Sequence, residues 1–477
     1  MDDVAVIGAG SSGLPVLKAL RDHGVRVAGF ERGSTVGGLW RYDNDNGMSS
    51  AYASLRTNVS RPRMQFPSYP MPSYGDFPRH SDMAAYLQSY AEAFGLLELI
   101  RFGTTVEQIH PDPDGAWRVL LDDSSTRRFR HVVIATGVFW CPRLVEYPGH
   151  FDGEISHSHD YRTPGPFTAR RVLVVGSGQS AAEIATEVSR VAACCYMAVR
   201  TGAHVIPRWI AGAPYDASDV EPLNRMPWRL LNMVYGRRVA TELGPLPPEW
   251  PSADSRVLEG VPIISSDLVP AVRRGEVAIK PAVDRLHGDR VVFVDGSTEL
   301  IDAIICATGY RISVPFLPSG RLAASGRDVP LYRRIVPPAL TGLFLAGFVD
   351  APGGLLPVVE TQADWIAAAV TGRLSLPPPR RMWAAIERGE RRTRQRFPAD
   401  GPYSIRCDPH AYRRLLRSDL HTVRRAMTRV SYMRAGRIKK SVSVGARGAQ
   451  ASIGAQSWFS DGHLQLERAR RGTAGEA

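Results

Sequence analysis

The sequence predicts an α/β protein with two dinucleotide-binding domains of the Rossmann type. A short apolar strand, a glycine-rich turn, a helix and a second strand follow one another at the N-terminus. The same succession returns later, with Gly176 in the place of Gly8. The chain has 477 residues, 44% hydrophobic and 22% charged. This is an ordinary globular composition, and the length leaves room for about three domain-sized units.

The first unit extends to Glu31. Residues 4–7 form an apolar run typical of a buried parallel strand, residues 14–24 have helical apolar spacing, and residues 25–30 form the next strand. The Gly-x-Gly-x-x-Gly turn between strand and helix consists of Gly8, Ala9, Gly10, Ser11, Ser12 and Gly13. Such a turn lets the backbone approach a pyrophosphate, and the acid after the second strand accepts hydrogen bonds from ribose hydroxyls. We therefore predict cofactor binding by the turn, Glu31 and Arg32.

The second unit begins with the strand at residues 171–175, and residues 182–191 and 194–199 read as its helix and next strand. Its turn, which ends in alanine instead of glycine, contains the predicted cofactor-binding residues Gly176, Ser177, Gly178, Gln179 and Ser180. Arg200 follows the second strand where the first unit has an acid. An arginine pairs with a ribose 2′-phosphate that a carboxylate would repel. The first site is thus predicted to take FAD and the second NADPH, with Arg208 as a second candidate phosphate partner. The alternative for Arg200 is an ordinary surface arginine.

The remaining strands suggest how the two domains share the chain. Residues 131–137 and 302–310 are matching strand-turn pieces, each with a Thr-Gly pair, and a further apolar strand covers residues 343–347. Residues 360–370 and 380–420 read as helical. The predicted arrangement resembles glutathione reductase, with the NADPH domain inserted into the FAD domain. Its parts are the first part of the FAD domain at 1–165, the NADPH domain at 166–310 with a candidate substrate-channel insertion at 211–261, the completion of the FAD domain with C-terminal helices at 311–422, and a basic, flexible tail at 423–477.

Composition excludes several classes of protein. No apolar stretch is long enough to span a membrane, and the acidic N-terminus does not resemble a secretory signal. Most of the net charge of +12 belongs to the C-terminal tail, which we interpret as solvated and not as a specific nucleic-acid site. We therefore expect a soluble, cytoplasmic protein without a membrane anchor.

Cysteine and histidine patterns argue against metal and disulfide chemistry. The five cysteines form no C-x-x-C pair, which disfavours a disulfide reductase or a zinc ribbon. Cys194 and Cys195 are expected in the core of a buried strand. A metal-ligand pattern is present in His150, His157, His159 and Asp160, but we predict no metal site there. Two dinucleotide sites imply hydride transfer from a nicotinamide to a flavin. Oxygen, together with a small organic substrate, is then the natural acceptor.

Four short motifs fit a known family. They are Phe151-x-Gly153-x-x-x-His157-x-x-x-Tyr161, Gly37-Gly38-Leu39-Trp40, Ser54-Leu55-Arg56-Thr57-Asn58 and Ala307-Thr308-Gly309-Tyr310. Through them, residues 3–420 resemble the flavin-containing monooxygenases, which oxygenate soft nitrogen and sulfur nucleophiles. Tyr161 stands where the similar Baeyer–Villiger monooxygenases usually have tryptophan.

The resemblance implies FAD and NADPH as cofactors, and O2 and a small molecule as substrates. In this family, reduced FAD reacts with oxygen to give a C4a-hydroperoxide while NADP+ stays bound. The resemblance implies that Asn58 stabilises this adduct, so Asn58 is the one catalytic residue that we predict. The further cofactor contacts that the resemblance implies are Gly38, Leu39, Trp40, Thr57, Val59, Thr308, Gly309 and Gln362.

Other activities remain open at this point. They are Baeyer–Villiger oxygenation of ketones, hydroxylation of the side-chain amines of amino acids, and oxidation of NADPH without oxygenation of a substrate. The last includes a redox sensor that binds nucleic acid through the tail. Tyr161 argues against the first. A homodimer is compatible with the sequence, which does not name the substrate.

Overall fold

The computed structural model describes residues 2–217, 227–322, 324, 328–397 and 404–422. The basic tail predicted at residues 423–477 lies outside these ranges, as does part of the segment 211–261. Within the described ranges, no helix combines the length and the apolar character needed to cross a bilayer.

A five-stranded parallel sheet forms the centre of the first dinucleotide-binding domain. Its order is Leu343–Leu345, His131–Ile134, Val4–Ile7, Val27–Phe30 and Ile100–Arg101. The glycine-rich turn lies after the central strand and leads into the helix Gly13–Asp22, which packs against the helix Leu356–Val370. The apolar sides of both helices are buried with the sheet in one core. The chain therefore returns to this sheet after it has completed the second one.

The second five-stranded parallel sheet repeats this arrangement. Its order is Ala278–Lys280, Cys194–Ala198, Arg171–Val175, Ala303–Cys306 and Glu154–His157. The helix Gln179–Val188 follows its glycine turn and packs against the helix Leu268–Arg273. Two Rossmann-like sheets in one α/β chain confirm the predicted fold class. The domain boundary predicted after residue 165 is too late, because the strand Glu154–His157 already pairs with the second sheet.

Smaller elements complete the two domains. A three-stranded antiparallel sheet has the order Val106–Pro111, Trp117–Leu121 and Thr126–Phe129. A four-stranded sheet has the order Thr298–Leu300, Arg290–Phe293, Val283–Gly288 and Gly149–Phe151, and its last pair is parallel. Two short pairs are the parallel Val205–Ile206 with Ile263–Ile264 and the antiparallel Trp209–Ile210 with Ala213–Pro214. The further helices are His80–Ala93, Trp228–Leu243, Pro379–Arg396 and 409–422, with 3-10 turns at Gly38–Trp40, Arg61–Arg63, Leu97–Leu99 and Gly165–Phe167.

Some predicted elements differ from the observed ones. The helical stretch expected over 380–420 is interrupted, since the helix ends at Arg396 and Arg406 lies beside Asp350 in a backbone bridge. Cys194 is exposed and only Cys195 is buried, because Cys194 opens its strand and successive side chains point to opposite faces. The second helix begins at Gln179, three residues earlier than predicted, so the turn itself supplies the first helical residues.

Candidate active site

The first cavity opens beside the glycine turn of the first sheet. Most of the predicted residues of this site line it: Gly8, Gly10, Ser11, Ser12, Glu31, Arg32, Gly38, Leu39, Trp40, Asn58 and Val59. Gly8 has φ +102°, and a Cβ there would lie 2.7 Å from the carbonyl oxygen of Ala135. Only glycine fits this turn, which leaves bare backbone on the cavity wall.

Glu31 is fixed by the turn that it faces. One carboxylate oxygen accepts the Ala9 amide at 2.8 Å and the other accepts the Gly33 amide, also at 2.8 Å. Ala9 thus contributes by holding the acid and does not itself line the cavity. Thr136 does line the cavity, and its buried hydroxyl has no partner among the described residues. A bare glycine turn, a fixed carboxylate and an unpaired hydroxyl fit a ligand with a pyrophosphate and ribose hydroxyls, as FAD has.

The second cavity lies at the corresponding edge of the second sheet. It is lined by most of the residues predicted for the second cofactor: Gly176, Ser177, Gly178, Gln179, Ser180, Arg200, Thr308 and Gly309. A Cβ at Gly178 would meet nothing within 4 Å, so the backbone there is open to the cavity. Arg200 is exposed on the wall, a position from which a guanidinium can reach a phosphate. These features fit NADPH.

The two cavities share one wall. Leu39, Trp40, Asn58 and Phe139 line both of them. The side-chain amide of Asn58 has no hydrogen-bond partner in the part of the chain that is described, while its backbone carbonyl accepts the Tyr215 hydroxyl at 2.9 Å. Asn58 therefore presents a free amide where the first cavity meets the second.

The sequence matches the family description "Flavin-binding monooxygenase-like" over residues 1–416. The chain belongs to this family. Dimethylaniline monooxygenase (N-oxide-forming) 4 of Mus musculus is 34% identical over 409 residues, which cover 81% of this chain and 73% of that protein. Flavin-containing monooxygenase 3 of Homo sapiens is 32% identical over 402 residues, which cover 78% of this chain and 74% of that protein.

Solved structures agree with this assignment. An S-allyl-L-cysteine S-oxygenase from Allium sativum has a TM-score of 0.66 and 27% identity, and the match covers 88% of each chain. A flavin-containing monooxygenase from Stenotrophomonas maltophilia has a TM-score of 0.61 and 25% identity, covering 79% of this chain and 100% of that one. Cyclohexanone monooxygenase from Rhodococcus sp. Phi1 bound to NADP+ shares the fold, with a TM-score of 0.65 and 19% identity, covering 88% of this chain and 97% of that one. This flavin monooxygenase therefore uses FAD and NADPH, which its two cavities fit.

Besides Ala9, three further predicted cofactor contacts of this monooxygenase lie behind the cavity walls. Gly13 packs its backbone against Gly8, where a Cβ would come within 1.9 Å of the Gly8 carbonyl oxygen. Thr57 is buried, and its hydroxyl donates to the Val59 carbonyl at 2.8 Å. Gly13 and Thr57 therefore support the cavity wall from behind. Spacing in the sequence does not distinguish such a supporting residue from one that contacts the cofactor.

Gln362, the third of them, is also a supporting residue. It is fully buried, its side-chain oxygen accepts the Gly347 amide at 2.9 Å, and its nitrogen donates to the Tyr412 hydroxyl at 2.8 Å. Gly347 lines the first cavity, whereas Gln362 does not. Gln362 therefore supports the wall of the first cavity through Gly347, and its direct contact with the flavin stays a prediction.

Arg208 does not take the role of a second phosphate partner. Its guanidinium pairs with Glu183 and donates to the Thr57 carbonyl at 2.8 Å, and it lines neither cavity. Glu183 was not singled out from the sequence. Burial raises the pKa of its carboxyl, and the charge of Arg208 opposes that rise.

Phe139 on the shared wall was also missed. The signal for it was present, because Thr136-Gly137 matches Thr308-Gly309 and an aromatic residue follows each pair, Phe139 in one case and Tyr310 in the other. The two rings contact each other edge to face, with centroids 5.9 Å apart.

The histidines of the sequence motif do not form a metal centre. His157 and His159 both contact the ring of Tyr310, and burial lowers the pKa of each so that both are neutral near pH 7. His150 pairs with Asp152 at 2.8 Å. Among the described residues, no group of three His, Cys, Asp or Glu side chains is arranged to hold a metal ion.

Proposed function

We propose that this monooxygenase oxygenates a soft nitrogen or sulfur nucleophile of a small molecule, with Asn58 as the catalytic side chain. The observation that carries the proposal is the free amide of Asn58 on the wall shared by the FAD and NADPH cavities. An amide both donates and accepts hydrogen bonds, so it can contact the reacting part of one cofactor and the nicotinamide end of the other.

FAD reduced by NADPH supplies the oxygen activation when it is bound. One atom of O2 enters the substrate and the other leaves as water, with the two electrons supplied by NADPH. The protein's contribution is to orient the cofactors and to keep water away from the reacting oxygen. Leu39, Trp40 and Phe139 form an apolar wall around Asn58 that suits this task.

Nitrogen or sulfur substrates are favoured over ketones by two observations. Tyr161 occupies the last position of the motif where the Baeyer–Villiger enzymes usually have tryptophan. The murine relative at 34% identity is named an N-oxide-forming enzyme, and the garlic enzyme at 27% identity is named an S-oxygenase. The likeness to cyclohexanone monooxygenase, at 19% identity, concerns the fold alone.

The substrate class is tested with purified holoenzyme, NADPH and isotopically labelled O2. We expect N,N-dimethylaniline or methyl phenyl sulfide to gain one labelled oxygen atom, detected by mass spectrometry, with one NADPH consumed per product. Cyclohexanone and L-ornithine are supplied in parallel reactions. The assignment to nitrogen or sulfur substrates would be overturned if the enzyme formed labelled lactone from cyclohexanone, or hydroxylated ornithine, but no oxygenated amine or sulfide. Hydrogen peroxide as the sole product with every substrate would indicate an NADPH oxidase.

The coenzyme preference is tested by Arg200→Gln. Because a charge-assisted pair with the 2′-phosphate is lost, we expect the KM for NADPH to rise about tenfold to a hundredfold while kcat changes little. The KM for NADH, which has no 2′-phosphate, stays within about twofold. Arg190→Gln is the matched control, since Arg190 is an exposed arginine of the same domain that lines neither cavity. An equal rise in KM for both coenzymes would show that Arg200 does not bind the phosphate.

A further inference from the structure

The backbone that carries Asn58 is held by residues from the second domain. Arg208 donates to the Thr57 carbonyl at 2.8 Å, and the Tyr215 hydroxyl donates to the Asn58 carbonyl at 2.9 Å. Arg208 and Tyr215 flank the short antiparallel pair Trp209–Ile210 and Ala213–Pro214. The backbone carbonyls of Thr57 and Asn58 are therefore both held by one hairpin, which we define as residues 208–216.

The same hairpin holds the residues that follow Asn58. Asp216 accepts the Ser60 amide at 2.8 Å, and Arg63 donates to the Asp216 carbonyl, also at 2.8 Å. The ring of Phe77 stacks on Tyr215 and contacts the edge of Trp209. The position of the Asn58 amide thus depends on where the hairpin lies.

Arg208 is connected in turn to the second glycine turn. Glu183, one helical turn after Gln179, pairs with Arg208 and accepts the side-chain amide of Gln179 at 2.8 Å. The hydroxyl of Tyr52 also donates to Glu183. Gln179 lines the NADPH cavity. A continuous set of contacts therefore leads from the nucleotide turn through Glu183 and Arg208 to the backbone beside Asn58.

The charges in this connection are largely removed from water. The side chains of Arg208 and Glu183 are 12% and 16% exposed. Removal of one partner of such a pair is costly, because the other is left as a desolvated and unpaired charge. Separation of the pair is therefore unfavourable, which favours a fixed geometry.

We propose that Arg208 and Glu183 are positioning residues that join the NADPH-binding turn to the Asn58 loop, so that bound NADP+ and the amide of Asn58 hold each other in place. The proposal rests on the proposed role of Asn58 at the two cofactors. It extends that role to Arg208, Glu183 and Tyr215, which line neither cavity. By thermodynamic linkage the effect is reciprocal, so a weakened connection also weakens NADP+ binding.

The test is a double-mutant cycle on the affinity of the FAD-loaded enzyme for NADP+. The dissociation constant is measured by titration calorimetry for the wild type, Asn58→Ala, Arg208→Met and the double variant. We expect Arg208→Met to weaken NADP+ binding about tenfold when Asn58 is present and less than about twofold in the Asn58→Ala background. Arg208→Lys keeps the charge but has a single donor nitrogen for the two partners, and it recovers part of the affinity.

A purely structural role for Arg208 gives a different pattern. In that case Arg208→Met weakens NADP+ binding by the same factor in both backgrounds, which would overturn the proposal. The proposal would equally be overturned if Arg208→Met left the affinity for NADP+ unchanged in both backgrounds. It would also be overturned if Arg208→Met lowered this affinity while Asn58→Ala alone had no effect on it. Arg273→Met is the matched control, because Arg273 donates to the carbonyls of Leu243 and Pro245 at 2.8 and 2.7 Å and lines neither cavity.

Tyr215→Phe repeats the cycle with a change that keeps the ring in place. It removes only the hydroxyl that donates to the Asn58 carbonyl, so it tests the connection even if Arg208→Met does not fold. We expect a loss of about threefold in NADP+ affinity with Asn58 present and none in the Asn58→Ala background. These titrations require no turnover. If no amine or sulfide is oxygenated but the cycle is non-additive, only the substrate class is rejected. If the enzyme oxygenates these substrates but the cycle is additive, only the connection between Arg208 and Asn58 is rejected.

Discussion

Asn58→Ala is expected to divert most of the electrons from NADPH into hydrogen peroxide. Among the described residues, four line both cavities, and the substitution removes the amide side chain of that set. Loss of one preorganised hydrogen-bond donor at a reacting oxygen typically costs a factor of about 10² to 10³ in rate. Oxygen transfer then becomes slower than release of peroxide. The measurement is the ratio of peroxide to oxygenated product per NADPH consumed, at a saturating concentration of a reactive sulfide.

Asn58→Asp separates the hydrogen bond from the shape of the side chain. Aspartate has nearly the same size, but an ionised carboxylate accepts hydrogen bonds and donates none. If the amide N–H is what the reaction requires, Asn58→Asp uncouples NADPH oxidation about as strongly as Asn58→Ala. FAD content is determined for both variants, because the comparison holds only for loaded enzyme. An Asn58→Asp enzyme that still transfers oxygen efficiently would refute the donor role.

The glycine turns were predictable because they are local. A strand, Gly8, Gly10, Gly13 and a helix fix the direction of the backbone within a few residues of one another, whatever the rest of the chain does. The second turn follows the same rule, and Gly176 has φ +141° in the position that corresponds to Gly8. Sequence spacing therefore located both cofactor cavities and their order in the chain.

The surroundings of Asn58 were not predictable in this way. The sequence offered Arg208 as a candidate phosphate partner, yet it pairs with Glu183 and holds the Thr57 carbonyl. The contact joins residues 151 positions apart, and only the packing of one domain on the other brings them together. Gln362 is a second example, since the resemblance to the family identified this residue but not its hydrogen bonds to Gly347 and Tyr412.

Gly13→Ala is expected to abolish stable FAD binding, although the change adds only one methyl group. A Cβ at Gly13 would lie 1.9 Å from the carbonyl oxygen of Gly8 and 2.9 Å from its carbon. Both atoms belong to the turn, so the backbone that faces the pyrophosphate must move. Overpacking typically costs about 1–3 kcal/mol and occasionally more, and here the contacted atoms are backbone. We expect less than about a tenth of the wild-type flavin content, measured from the visible absorbance of purified protein, and a lower unfolding temperature of the whole chain.

The second turn makes this a sharp prediction, because it already has an alanine at the matching position. Ala181 is fully buried without conflict, and its helix begins at Gln179, whereas the first helix begins at Gly13 itself. If the two turns were equivalent, Gly13→Ala would be tolerated and the flavin retained, which would contradict the geometry of the first turn. Gly389→Ala is the control: it lies in a helix with nothing within 4 Å of the added Cβ. Gly389→Ala should raise the free energy of unfolding by up to about 1 kcal/mol. The contrast isolates the contact between Gly13 and Gly8 as the reason why this turn requires its third glycine.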